Sequence, residues 1–174
     1  MQNSKKYVIC GAPCSGKSTL ISELSKRGFR TVDEAARIII NQGISEGKTV
    51  EEVRSNPLEH QRKVTKLKVE LEESLPEDEI CFLDTGIPDS IAYYRLHGLD
   101  IGELLEICRK AAYKKVFFLE LFDYKRDYAR LENKETAEKL SELIKNAYKE
   151  MGHEIVIVPR MHVKERADFI LSNL

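Results

Sequence analysis

Residues Gly11-Ala12-Pro13-Cys14-Ser15-Gly16-Lys17-Ser18 fit Gly-x-x-x-x-Gly-Lys-Ser/Thr, and no other stretch restricts the possible folds as strongly. A loop of this kind works between a strand and a helix, and the flanks supply both. Tyr7-Val8-Ile9-Cys10 is an apolar run with β character, and Ser18-Thr19-Leu20-Ile21-Ser22-Glu23-Leu24 carries a helical pattern. The glycines let the backbone curl until its N–H groups converge on an anion, and the helix N-terminus adds partial positive charge there. Lys17 is placed to reach the β- and γ-phosphates of a nucleotide, and the Ser18 hydroxyl to ligate Mg²⁺. Gly11 through Thr19 are therefore the expected nucleotide contacts, with ATP or GTP as the bound nucleotide. A chance match at four positions in a chain of this size is a roughly 1% event.

Five short, nearly unbroken apolar runs read as strands: Tyr7–Cys10, Phe29–Val32, Ile80–Leu83, Val116–Leu121 and Ile155–Val158. Such runs suit a parallel sheet covered on both faces. Helical patterns separate them. Lys17–Arg27 stops at Gly28, and Asn56-Pro57-Leu58-Glu59 reads as an N-cap, a first-position proline and a capping-box acid. The helix opened there carries Val64, Leu67, Leu71 and Leu75 as its apolar face. Ile101–Ala112 is another helix, Ala137, Leu140, Ile144, Ala147 and Met151 line a long one ended by Gly152, and a last helix starts near Lys164. Alternation of strand and helix predicts an α/β doubly wound fold.

The 174 residues suit one nucleotide-binding domain, with 42–56 as a mobile, substrate-side segment and 123–134 as a lid-like segment. A formal net charge of -1 argues against bulk attraction to nucleic acid or an anionic membrane. No apolar run reaches the ~18 residues of a membrane span. Met1–Lys6 leads straight into a strand and does not resemble a signal peptide. Cys10, Cys14, Cys81 and Cys108 show no Cys-x-x-Cys spacing and read as reduced thiols of a cytoplasmic protein. Cys14 alone lies in the phosphate loop, where its thiol is either a small filler or an activated group.

Ligands of doubly wound sheets bind at the carboxyl ends of strands, which makes strand-end acids informative. The second run ends in Asp33-Glu34-Ala35-Ala36-Arg37 and the third in Asp84-Thr85-Gly86-Ile87-Pro88-Asp89. Asp84 follows a Walker-B-like run and suits Mg²⁺, held directly or through water. Glu34 suits removal of a proton from an attacking hydroxyl or water. Each can instead be a helix N-cap or first-turn acid. Arg126 and Arg130 are four apart, so on a helix they share a face that can neutralise a phosphoryl group in flight. Asp123 and Asp127 leave a solvated ion-pair helix as the alternative there. The four histidines show no metal-ligand spacing.

These segments together resemble a family of small P-loop proteins carrying an AAA-type ATPase label. It includes the ribosylnicotinamide kinase domain of bacterial NAD regulators and the TRPL translocation defect protein. The resemblance spans nearly the whole chain and rests on the P-loop, Asp33–Arg37, Leu83–Asp89, Asp127–Glu132 and Val158-Pro159-Arg160-Met161. The layout looks like that of nucleoside and nucleotide monophosphate kinases. The resemblance implies a five-stranded parallel sheet in order 2-3-1-4-5 and an arginine-bearing lid containing Arg126 and Arg130. It also implies Glu34 as the base, Arg37 near the substrate and Asp89 lining the acceptor pocket. One departure stands out, because the family pattern is Asp-Arg-Gly where this chain has Asp84-Thr85-Gly86. Thr85 offers no fork of charged donors.

The leading functional expectation is transfer of the γ-phosphoryl group of Mg·ATP to a small nucleoside- or nucleotide-like acceptor. Lys17, Arg126 and Arg130 would stabilise charge, Ser18 and Asp84 would hold the metal, and Glu34 would orient the nucleophile. An NTPase using water, and a non-catalytic regulator that binds a protein or lipid, are the alternatives. A Ras-type GTPase fits poorly. Asn133-Lys134-Glu135-Thr136 lacks the final aspartate of a guanine reader and opens a helix.

Overall fold

The computed structural model describes residues 5–121 and 132–174. In chain order they form β1 (Lys6–Cys10), α1 (Lys17–Lys26), β2 (Arg30–Val32), α2 (Ala35–Ser45), α3 (Val50–Val53), α4 (Pro57–Glu73) and β3 (Cys81–Asp84). There follow α5 (Asp89–Leu96), α6 (Gly102–Cys108), β4 (Lys115–Leu119), α7 (Lys134–Glu150), β5 (Ile155–Val158) and α8 (Val163–Ser172). The five strands form one parallel sheet in the order β2-β3-β1-β4-β5. The α/β fold and the strand order both agree with expectation.

Strand periodicity divides the core into two layers. Tyr7 and Ile9 of β1, Phe82 of β3 and Phe117 of β4 meet Leu20 and Leu24 of α1 and Ala167 and Ile170 of α8. Their neighbours Val8, Cys10, Leu83, Val116 and Phe118 point the other way, onto Ala92 of α5 and Leu140, Ile144 and Tyr148 of α7. β1 is central, between β3 and β4, so the loop leaving it opens at the middle of the carboxyl edge of the sheet.

Local signals explain most boundaries. Gly28 (φ +90) ends α1, its N–H donating to Ser25 O and that of Phe29 to Leu24 O. Asn56 Oδ1 accepts from Glu59 N and Pro57 follows it, as expected. The Glu59 carboxylate pairs with Lys63 instead of completing a capping box. Asn133 caps α7 through Thr136 N. The stretch 42–56, expected as a mobile segment, holds the end of α2 and the short α3. Thr49 and Glu52 close a capping box on α3, and Gly43 packs against Val53.

Two helices differ from the sequence pattern. The helix expected over Ile101–Ala112 ends at Cys108, because Lys110 N and Ala111 N bond back to Ile107 O and Cys108 O and turn the chain toward Tyr113. The helix opened at Asn56 ends at Glu73, so Leu75 lies beyond it; Val64 is buried as expected, but Leu67, Leu71 and Leu75 are half-buried. Besides Val64 the fully buried positions of α4 are His60, Gln61, Thr65, Lys68 and Glu72.

Candidate active site

The phosphate loop is built for close approach. Gly11 has φ +144, and a Cβ on it would lie 2.4 Å from Leu119 O, so only glycine fits between β1 and β4. Gly16 (φ +89) occupies the N-cap of α1, which has no side-chain cap hydrogen bond. The orphan N–H groups of that first turn are thus left to other acceptors, the arrangement that suits an anion. Ser15 Oγ is buried and has no hydrogen-bond partner among the described residues. Cys14 takes φ +67 in the same turn.

Lys17 is buried, and its Nζ donates to Gly11 O and Ala12 O at 2.9 Å each. The ammonium is folded back along its own loop. Ser18 Oγ donates to Asp84 Oδ2 at 2.9 Å, joining the loop to the end of β3. Hydroxyl and carboxylate oxygens are ligands that a hard divalent cation prefers. Among the described residues no group of three or more His, Cys, Asp or Glu is arranged for a metal. A Mg²⁺ ion at Ser18 and Asp84 would therefore complete its shell with water and phosphate oxygens, as this ion commonly does.

Beyond Asp84 the chain makes a tightly held turn. Thr85 has φ +69, unfavourable for a β-branched residue. Its N–H extends the ladder to Ile9 O at 3.1 Å. The Gly86 N–H is shared at 3.0 Å by Asp89 Oδ2 and Tyr148 Oη, while Gly86 O accepts from Lys68 Nζ at 2.8 Å. Ile87 N–H donates to Tyr113 Oη at 2.9 Å, and that hydroxyl donates to Glu72 Oε1 at 2.8 Å. The Tyr148 hydroxyl donates to Asp89 Oδ2. Three helices, α4, α5 and α7, and a loop tyrosine thus fasten two successive peptide groups. Burial pushes the Glu72 carboxyl up to about 7. It also raises Asp89, against the pull of nearby Lys68. Asp89 is fully buried and does not line the cleft. Here it fastens the turn.

A second cleft opens beside the loop. It is lined by Pro13 and Thr85, by Glu34, Arg37 and Ile40 of the β2–α2 side, and by His60, Gln61, Val64 and Lys68 of α4. Ser90, Tyr93, Arg54 and Glu132 complete it. The volume enclosed is about 40 Å³. Glu34 sits at the N-cap position of α2 but makes no side-chain cap hydrogen bond. It faces this cleft, 4.0 Å from Arg37 Nε. Arg54 and Glu132 form a largely buried ion pair over it. Burial, and then the charge of Arg54, lowers His60 to about 4, so its imidazole is neutral at physiological pH. His60 Nδ1 and Ser90 Oγ have no hydrogen-bond partner among the described residues.

The fold therefore joins Ser18 to Asp84 beside Lys17 of the phosphate loop, and it places Glu34 and Arg37 on the adjoining cleft that Pro13 and Thr85 also line. Asp33, beside Glu34, is exposed. Arg126 and Arg130 lie outside the described residues. Sequence reasoning missed Lys68, His60, Gln61, Arg54 and Ser90. It also missed Arg166 of α8, whose guanidinium donates to Ser15 O at 3.4 Å behind the loop.

Solved structures share this fold. Deoxyadenosine kinase from M. mycoides with bound dATP superposes with TM-score 0.68 at 16% identity, over 97% of each chain. Thymidylate kinase from Candida albicans gives 0.69 at 17% identity, over 98% of this chain and 90% of its own. NadR protein in complex with NR gives 0.69 at 16% identity, over 98% of this chain and 50% of its own. At these identities the likeness is one of fold, and it defines a small P-loop protein with the nucleoside and nucleotide kinase architecture. No curated protein matches the sequence. The model of a family described as an AAA domain matches residues 6–166, and the chain belongs to that family.

Proposed function

We propose that this protein transfers the γ-phosphoryl group of Mg·ATP to a small hydroxyl- or phosphate-bearing acceptor, nucleoside- or nucleotide-like in kind. The observation that carries the reading is the position of Glu34, a carboxylate at the start of α2 that lines a cleft opening beside the phosphate loop. The acceptor oxygen would form the new P–O bond as the bond to the ADP oxygen breaks, with Glu34 taking the acceptor proton. Lys17 would leave its loop carbonyls for the phosphates, and Ser18 and Asp84 would hold Mg²⁺, which would supply positive charge against the phosphates. Arg37 would contact the acceptor, Arg126 and Arg130 the phosphoryl group, and Asp89 would act through the turn it fastens. That the kinase structures sharing this fold bind nucleotides and small substrates is consistent with this assignment.

One observation favours a second reading, hydrolysis with water as acceptor. An enclosed volume of about 40 Å³ holds a few water molecules and no nucleoside unless the walls part. ADP release from Mg·ATP and Mg·GTP, alone and with nucleosides, nucleoside monophosphates and ribosylnicotinamide, separates the two. A rate that one acceptor raises sharply is the expected result. An appreciable rate that no acceptor changes replaces transfer with hydrolysis, and tight binding with no turnover replaces both with a nucleotide-dependent regulator.

A further inference from the structure

The strand-end turn beside the metal-side residues carries no charge of its own between Asp84 and Asp89. Its centre is Thr85, which lines the cleft. A phosphoryl group moving from the loop toward Glu34 would meet no positive charge from this turn, and Arg37 on the same cleft is held beside the Glu34 carboxylate. Phosphoryl transfer is accelerated chiefly by fixed positive charge and donors aimed at that group.

Lys68 stands where such a charge is needed. It lines the same cleft as Thr85, Glu34 and Arg37, it is 7% exposed, and its Nζ is 2.8 Å from Gly86 O, one residue past Thr85. An ammonium has three N–H donors. Among the described residues Gly86 O is the acceptor Lys68 has, and that acceptor is a neutral carbonyl. Two buried carboxyls, Asp89 and Glu72, lie close enough to feel its charge, but among the described residues its one hydrogen bond goes to Gly86 O, which leaves two N–H donors for a ligand oxygen. The Gly86 peptide is already held through its N–H by Asp89 and Tyr148, so the turn does not depend on Lys68 for its position.

We propose that Lys68, carried on α4 and not on the strand-end turn, supplies the positive charge on the acceptor side of the site, donating to an oxygen of the transferring phosphoryl group or of a phosphate-bearing acceptor. The inference rests on the phosphotransfer reading above and adds one residue to it. The acceptor oxygen bonds to the γ-phosphorus, the β–γ bridging bond breaks, Glu34 receives the proton and ADP departs. Lys68 gains and loses no proton and acts only through its charge.

The test compares wild type with Lys68→Met, Lys68→Arg and the double variant Lys68→Met/Thr85→Arg, which moves a cation onto the turn. Wild type is assayed first for acceptor-stimulated ADP release. Given such turnover, Lys68→Met is expected to lower kcat about 100-fold, the scale for one lost transition-state donor. Its Mg·ATP-dependent thermal shift should stay within a degree or so of wild type. Lys68→Arg should keep activity within about tenfold, and Thr85→Arg should raise the Lys68→Met rate at least tenfold. An unchanged kcat in Lys68→Met overturns the proposal, as does a loss that neither cation restores in a protein that melts like wild type. Absence of acceptor-stimulated turnover in wild type removes the phosphotransfer reading itself. Lys68 is then judged by titrating inorganic phosphate into the Mg·ADP complex. Affinity at least tenfold weaker in Lys68→Met upholds an anion-binding role, and equal affinity rejects it.

Discussion

The two sides of the site are made differently. The proposed donor side is one contiguous octapeptide made mostly of backbone features, with two glycines at positive φ, an uncapped helix terminus and a single folded-back lysine. The proposed acceptor side is gathered from α2, α4, α5 and the chain around Arg54 and Glu132, and it is made of side chains. A loop that acts through main-chain geometry leaves a fixed string of residues in the sequence. A cleft assembled by packing leaves no string, only scattered positions whose meaning depends on what lies opposite.

The sharpest way to break this contrast is to disable the donor side with one side chain. Lys17→Ala is expected to abolish the thermal stabilisation produced by Mg·ATP, and an unchanged shift would show that the loop does not bind phosphate. The next effect in size falls at the junction of the two sides. Glu34→Gln should retain Mg·ATP binding while acceptor-stimulated turnover falls by roughly 100-fold or more, the usual scale for a lost general base. Retained turnover would remove Glu34 from the mechanism. The smallest effect belongs to the scaffold beneath the acceptor side. Glu72 has a folded pKa of about 7 against an ordinary 4.5, so the folded state holds its proton more tightly. Its favourable contribution is complete below about pH 4.5 and is lost as pH rises toward 7, a total of about 3 kcal/mol at 1.4 kcal/mol per unit. Urea unfolding of wild type and Glu72→Gln from pH 4.5 to 8 should show wild type losing stability relative to the variant across that window. Parallel curves would mean that Glu72 titrates normally.

Legibility followed the same division. The strands and the loop were reachable from motif and periodicity, the strand order came from the family resemblance, and Asp84 and Glu34 drew notice because each follows a strand-like run in sequence. Lys68 and Glu72 were not. They stand four apart on α4 among Lys63, Lys66, Glu70 and Glu73, and that spacing in a sequence reads as a solvated ion pair. Only the fold shows that the pair faces inward and that Leu67 and Leu71 are the half-exposed residues. His60 and Ser90 are quiet for the same reason, being ordinary residue types made distinctive by a buried polar atom, Nδ1 and Oγ respectively, with no hydrogen-bond partner among the described residues. Asp89 illustrates the converse. Resemblance implies a place in the acceptor pocket, whereas here it lies one layer deeper, against Gly86 N and Tyr148.

The turn at Gly86 and Ile87 has a consequence for motion. It lies in no helix or strand, and loop amides ordinarily exchange with solvent through small local openings. Here both N–H groups are committed to buried hydroxyls and a carboxylate from α5, α7 and Tyr113. Releasing either proton to solvent requires parting elements that themselves hold the sheet. This loop is therefore expected to exchange with the slowly opening core and not with the surface loops. Between it and the phosphate loop, whose lysine would swing away to receive a phosphate, the proposed site would join a part that moves on binding to a part that opens only with the elements around it.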